Sequence, residues 1–342
     1  MRVKIILIVV ILSFSFYKLM DFKNNAVINS FNLLSGKYMV NNSNENKIIL
    51  NKGKENYKNL IFNYRGMYIG DSKEKLISNF GIPDRKDISM YGFEWYIYNK
   101  NYKEYIQVGI KGNKVVGFFS NSNKWKINNE YIIGKKRDDI HEILKNPMKS
   151  IEKSGINYIF NDDNWNMYNI NKCYVILFYD QIDYNKVNSI LLIEKEIEEN
   201  LTNYYIENNN DIKIVESLER QNLDLINAFR AKYNKEQLIW DEKAAITARN
   251  HSKDMVKKDF FDHINLNNET VFDRMINDNI HYKNAAENIA SGQRNSIYAL
   301  EALLNSKNHR KTILGNYKNI GIGICQGGKY KMYYTQVYYT PN

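Results

Sequence analysis

The chain has 342 residues, 44% of them hydrophobic and 13% aromatic, which is enough for two or three domains with sizeable cores. Its formal net charge of +10 favours anionic surroundings. There is no zinc-finger spacing, RNP-like run or basic helix with heptads, so nucleic acid is not indicated as a partner. Cys173 and Cys325 are the only two cysteines, which excludes a disulfide framework and a zinc–thiolate cluster and fits an exported bacterial protein.

Arg2 and Lys4 precede an apolar stretch from Ile5 to Phe16 that only Ser13 and Ser15 interrupt. Its length suits the h-region of a signal peptide and falls short of the ~20 residues that span a bilayer comfortably. Residues 1–23 are therefore expected to direct export, as a cleaved signal or a retained membrane anchor. Residues 24–63 are rich in Asn, Lys and Ser and read as a tether.

An internal repeat of period 64 follows. Ile69-Gly70 matches Ile133-Gly134, and Pro83 matches Pro147. Between each Gly and Pro lies one short amphipathic helix. In the first copy Asp71 and Glu74 read as a capping box, with Leu76, Ile77 and Phe80 as the buried face. In the second, Ile140, Ile143 and Leu144 form that face, and His141 reads as a surface residue. Each helix precedes three strand-like runs: GFEWYIYN, YIQVGI and KVVGFFS in one copy, INYIFN, CYVILFYD and VNSILLIE in the other. The spacing predicts one α+β domain over residues 64–195 built of two α-β-β-β units.

An acidic, Asn-rich connector, 196–213, leads to the last domain, 214–342. A helix is predicted from Ile214 to about Tyr233, and a second from Asp241 carrying Ala244, Ala245 and Ala248 for close packing. A third runs from Ser296 to Asn305. Two strands, NIGIGIC and YKMYYTQVYY, finish the chain. Gly321 and Gly323 alternate on one strand face, which suggests close approach of a helix. The expected fold class is α+β. A C-terminal α–β–α sandwich is preceded by the two-repeat domain and an N-terminal hydrophobic segment.

Four of the five histidines fall in this last domain. His263 follows an aromatic pair in KDFFDHI, Glu287 lies in AAENIASG, read as a helix-capping run, and His309 closes LEALLNSKNHR. Two imidazoles and a carboxylate on separate elements form a candidate site. His251, among alanines on a helix, reads as packing or surface, as does His281 in a loop-like stretch. Asn288 and Ser291 read as residues that turn the backbone after Glu287. Arg274 and Arg310 are candidates to pair with acidic groups near the cleft.

The series LINAFRAKYNKEQLIWDEKAAITARNHSKDM, FFDHI, AAENIASG, NSKNHRKTIL, NIGIGIC and YYTQVYY resembles the CAP superfamily of cysteine-rich secretory, antigen 5 and pathogenesis-related 1 proteins (SCP domain). Residues 64–195 are similar to the CAP-associated N-terminal domain of Gram-positive bacterial members. The resemblance implies a cleft lined by a His/Glu/Glu/His tetrad that often binds a divalent cation. His263, Glu287 and His309 match three of its members. Ser306 stands where many members have the second glutamate, and Leu303 replaces a common tryptophan.

Three chemistries are open to these residues. His263, Glu287 and His309 are the expected ligands of a divalent cation, Zn or Mg, with Ser306 nearby. Hydrogen bonds among them would instead simply brace the loops. Ser306, His309 and Glu287 would form a nucleophile, base and orienter in a hydrolase acting on peptide or ester bonds, a reading disfavoured because no nucleophile elbow is visible. The leading expectation is a secreted or membrane-anchored protein on the extracellular face. It would act by binding an anionic cell-wall polymer, a lipid or an envelope protein, with the N-terminal segment contacting the membrane.

Overall fold

The computed structural model describes residues 60–205 and 212–342, so the apolar N-terminal segment and residues 24–59 of the tether lie outside the described residues. No helix among the described residues is long and apolar enough to cross a membrane.

A short strand, β1 (Phe62–Tyr64), opens the first domain, two residues before the expected boundary. The first repeat contains α1 (Lys73–Phe80), β2 (Arg85–Ile88), β3 (Glu94–Tyr98), β4 (Ile106–Lys111) and β5 (Lys114–Ser120). After β6 (Trp125–Ile127) and β7 (Glu130–Tyr131), the second contains α2 (Arg137–Leu144), β8 (Ser150–Lys153), β9 (Ile156–Ile159), β10 (Trp165–Ile170), β11 (Cys173–Asp180) and β12 (Lys186–Glu194). Both copies dock the helix start on the last strand through the same bonds. Gly70 N–H donates to Val115 O at 2.8 Å and Gly134 N–H to Val187 O at 2.9 Å. The two glycines sit at φ +89 and +87, the left-handed region that side chains disfavour.

Some local expectations fail. The cap of α1 is Ser72, whose Oγ accepts Lys75 N–H at 3.2 Å, while Asp71 pairs with the Lys75 ammonium. INYI forms a separate hairpin with β8, and β10 takes the place beside β11. Three asparagines in and beside β10 (Asn164, Asn166, Asn169) lower its strand propensity and hid it from the sequence.

One antiparallel sheet runs β10-β11-β12-β5-β4-β3-β2, the last strands of the two copies pairing at its centre. Alternate residues face opposite ways. Val175 and Leu177 join Leu76, Ile140 and Leu144 under α1 and α2, while Ile176 and Phe178 face the C-terminal domain.

Between the domains, the expected connector is partly structured. It contains α3 (Lys195–Asn200), whose Glu198 is fully buried and ion-paired with Lys153 (3.2 Å) and Arg294 (3.3 Å). The C-terminal domain contains α4 (Ile212–Lys232), β13 (Ile239–Trp240), α5 (Glu242–Lys258), α6 (Val271–Asn277), β14 (Tyr282–Ser291), α7 (Ser296–Leu304), α8 (Lys307–Ile313), β15 (Asn319–Gln326) and β16 (Met332–Pro341). Its sheet order is β13-β15-β16-β14. Helix α5 lies against this sheet as the small residues suggest. A Cβ at Gly321 would meet the Ala244 carbonyl carbon at 2.0 Å, and one at Gly323 the Arg249 nitrogen at 2.0 Å.

The other face of the small sheet carries α4 and α7, and these two helices also cover the large sheet. One apolar cluster therefore runs through both domains, from Trp95, Phe119 and Phe178 to Phe229, Tyr298 and Ile322. Polar groups are matched across the same seam. Asp224 of α4 is almost fully buried and takes hydrogen bonds from Arg85 (2.6 Å), Asn99 (2.8 Å) and Tyr102 (2.9 Å) of the first domain.

Arg85→Ala would leave Asp224 buried without its counter-ion. The expected loss is about 3–5 kcal/mol in urea unfolding of the whole chain. A loss below about 1 kcal/mol would show that this seam does not hold the domains together.

Candidate functional site

The site straddles the β14 edge of the C-terminal sheet. Contrary to the sequence reading, Glu287 does not open a capped helix. It lies mid-strand in β14, paired with Val337 of β16. Strand alternation then sends Glu287 and Asn288 to opposite faces.

On one face, Glu287 is held by two groups, and its side chain is 2% exposed. His263 Nδ1 lies 2.8 Å from Oε1, and Arg274 of α6 donates from Nη2 to Oε2 at 2.5 Å. Arg274 Nη1 also donates to the backbone oxygens of His263 (3.0 Å) and Glu269 (2.9 Å), which fixes the loop before α6. Because a carboxylate only accepts, Nδ1 of His263 carries a proton. In the neutral ring the Nε2 lone pair is then free, and the side chain is half exposed.

On the other face, Asn288 Nδ2 donates to the backbone oxygen of His309 at 3.3 Å. It is a tie to α8, not the turn residue expected. Helix α7 ends at Leu304, Asn305 caps it, and Ser306 is the N-cap of α8, so Ser306 and His309 do not share a continuing helix. His309 Nδ1 is enclosed without a hydrogen-bond partner. Any ligand of this ring must therefore be taken through Nε2. Burial, together with the charge of nearby His263, pushes His309 down to about 4 and keeps it neutral at pH 7.

The two arginines divide. Arg274 pairs at the site, whereas Arg310 reaches Asp180 of the first domain at 2.7 Å. His251 is buried behind the site, its Nε2 2.9 Å from the backbone oxygen of Asp262, and burial lowers its pKa. It braces the residue next to His263, as a packing histidine would. His281 is exposed, and His141 contacts Asn166 Oδ1 at 3.2 Å, far along the chain from the cleft.

Two readings change. The serine triad is not assembled, because Glu287 orients His263 and not His309. Nor is a three-ligand cation site assembled, since no group of three His, Cys, Asp or Glu side chains among the described residues is placed to hold a metal. Both oxygens of Glu287 are already engaged. Imidazole nitrogens suit a transition metal such as zinc, whereas magnesium prefers oxygen ligands.

Residues 223–338 match the family model described as the cysteine-rich secretory protein family, and residues 69–204 match that of the CAP-associated N-terminal region. The likeness to the cysteine-rich secretory protein family is thus carried by residues 223–338, preceded by a CAP-associated region. It is 29% identical over 289 residues to the Bacillus subtilis membrane protein YlbC, covering 79% of this chain and 81% of that one. The CAP domain alone is 39% identical over 115 residues to YkwD of the same species, 33% of this chain and 45% of the relative. An extracellular SCP-domain protein from Bacillus anthracis superposes with a TM-score of 0.67 at 25% identity, over 80% of this chain and 93% of that one. A cysteine-rich secretory protein from Staphylococcus aureus shares the fold, with a TM-score of 0.65 at 19% identity over 81% and 93% of the two chains.

Within the CAP domain, Arg274 is the site residue whose role the sequence left open, since its partner lies 13 residues away on another element. His309 gives the clearest pH signature. Its depressed pKa means that the unfolded chain binds the proton more readily between about 6.5 and 4. Stability contributed by the neutral ring is complete above the upper limit and lost as pH falls through the window, by up to about 3 kcal/mol. His309→Asn should flatten that part of the urea-midpoint-versus-pH curve relative to the parent. Parallel curves would contradict the assignment.

Proposed function

We propose that this CAP-domain protein is displayed on the outer side of the cell envelope and works there by binding. The names of its relatives support the location: one is a membrane protein and one an extracellular protein. The apolar segment Ile5 to Phe16 and the Asn/Lys-rich tether are what an anchored or exported chain would need. The net charge of +10 suits an anionic wall polymer better than a neutral partner. Lipid headgroups and acidic envelope proteins are the competing partners.

The observation that carries the reading of the cleft is the chain Arg274–Glu287–His263. A buried carboxylate that orients one imidazole nitrogen while leaving the other open is the arrangement that supports histidine ligation to a metal. His263 and His309 would hold a divalent transition-metal ion, with Glu287 as the positioning residue behind His263. When bound, the ion would offer open positions to an anionic oxygen of the partner. Glu287 neutralised by Arg274 adds little repulsion to such an approach.

The same arrangement does not favour hydrolysis by Ser306. That hydroxyl belongs to the residue that starts α8, and the acid that a triad would need is committed to another histidine.

Titration calorimetry of the full chain with zinc tests the cleft. His263→Ala and His309→Ala should each abolish binding, Glu287→Gln should weaken it about 10–100-fold, and Ser306→Ala should leave it unchanged. Magnesium should give no heat. Zinc affinity indifferent to both histidine changes would remove the ion from this cleft.

A further inference from the structure

A recess in the C-terminal domain lies where α8 ends and the chain turns toward β15. Its volume is about 640 Å³, inside the range of ligand clefts, roughly 300–1,000 Å³. Lys235 comes to it from the loop after α4, Asn308, Lys311 and Thr312 from α8, and Asn316 and Tyr317 from the turn that follows. Both charged groups on its wall are cations, and no carboxylate lines it. Glu236, the acid next to Lys235 in the chain, is not part of the lining.

Helical spacing accounts for the α8 wall. Asn308, Lys311 and Thr312 stand at i, i+3 and i+4 and so share one side of the helix, which Lys307, four residues before Lys311, extends. Asn308, Lys311 and Thr312 have no side-chain hydrogen bond or ion pair among the described residues. Lys235 has one long contact, 3.4 Å, to Asn316 Oδ1. Lys307 and Lys318 are exposed and likewise without an ion pair among the described residues.

A helix C-terminus ordinarily repels anions, because its last carbonyls carry a partial negative charge. Here Arg310, Thr312 and Ile313 have theirs engaged. Leu314 N–H donates to Arg310 O and Gly315 N–H to Thr312 O, each at 2.9 Å. Buried Arg230 donates from Nη1 to Ile313 O at 2.6 Å and to Gly315 O at 2.9 Å. Asn316 O accepts from Asn284 Nδ2 at 3.1 Å. Tyr317 packs on Tyr338 with ring centroids 5.8 Å apart, and a Cβ at Gly315 would strike its ring. The turn is thus held from α4, β14 and β16.

We infer that this recess binds an acidic glycan, a hydroxyl-rich chain carrying phosphate or carboxylate groups. The inference rests on the reading above that the partner is an anionic wall polymer, and it names the surface that would take it. Lys235 and Lys311 would meet successive charges. Asn308, Thr312 and Asn316 offer amide and hydroxyl groups to the hydroxyls between them, and Tyr317 an apolar ring face. Leu314 is the one aliphatic side chain in the lining, so the recess offers little to acyl chains or to the apolar anchors of a peptide.

The full chain is kept in detergent with EDTA, so that no ion in the histidine cleft contributes. It is titrated by calorimetry with a glycerol phosphate oligomer, an oligogalacturonate, a neutral dextran oligomer and oligoglutamate. The two acidic glycans should bind, the neutral one should not, and oligoglutamate should bind more weakly at equal charge. A single glycerol phosphate, the size of a lipid headgroup, should bind far more weakly than its oligomer. Lys235→Glu with Lys311→Glu should weaken the acidic glycans by about tenfold or more, and Lys253→Glu with Lys257→Glu, an equal change in net charge on α5, much less. All these lysines are exposed, so the melting temperatures should match the parent. Asn308→Ala should weaken the glycans and leave oligoglutamate unchanged. Equal losses in the two double variants would overturn the site and leave the wall-polymer reading standing. Tighter binding of oligoglutamate or of the single glycerol phosphate, or binding of no acidic glycan by the parent, would overturn both.

Discussion

The structure depends on one helical layer that serves two sheets. All nine residues of α7 are buried, and none of its faces meets water. A helix that is apolar all round needs partners on every side. The small sheet and α4 supply some, and the first domain supplies the rest, with Trp165 and Phe178 packed edge-on to Tyr298 at 5.5 and 5.1 Å. The single acid in α7 follows the same logic. Glu301 is buried, and burial raises its pKa. It is accommodated by Ser189 and Asn188 of the first domain, which donate to it at 2.5 and 2.8 Å, and by the nearby Lys232 charge. The CAP domain is therefore completed by the domain before it.

That dependence reaches the histidine cleft. Asn305, where α7 gives way to α8, donates to Tyr179 O and Asn164 Oδ1 at 2.9 Å each and accepts Gln181 N–H at 2.8 Å. All three partners belong to the first domain. Arg310, one residue after His309, is bound to Asp180 of that domain as well. His309 is thus placed by the repeat domain, and His263 by the loop that Arg274 holds. The edge strand β14 supplies the geometry between them, one residue for each side. Ser306 occupies a helix start in this scheme, a position where a serine is ordinary.

How much of this the sequence showed depends on how local the cause was. The period-64 repeat, the glycine–helix contact and the three principal helices of the CAP domain were legible, because each rests on spacing within one segment. The strand Tyr282–Ser291 was not, since AAENIAS carries alanines and an asparagine that read as a helix terminus until β16 pairs with it. Helices α6 and α8 are seven residues each, too short for periodicity to stand out. At the site, the identity of His263, Glu287 and His309 could be read in order, but the partners could not. Only the fold brings Arg274 to Glu287, and with His263 on the other oxygen that contact occupies the carboxylate.

A four-stranded sheet leaves two edges to be managed, and this domain treats them differently. Exposed edges invite pairing with other chains, and proteins blunt them with charge, side-chain plugs or covering segments. At the β14 edge the covering comes from two segments of the same domain. The loop before α6 and helix α8 close over it, and the buried carboxylate at its centre is balanced by Arg274. At the β15 edge, among the described residues, a two-residue strand pairs with it and Glu219 takes one of its amides. The cost of burying Glu219 there is offset by its ion pair with Arg249 and by the hydrogen bond it accepts from the Ile324 amide.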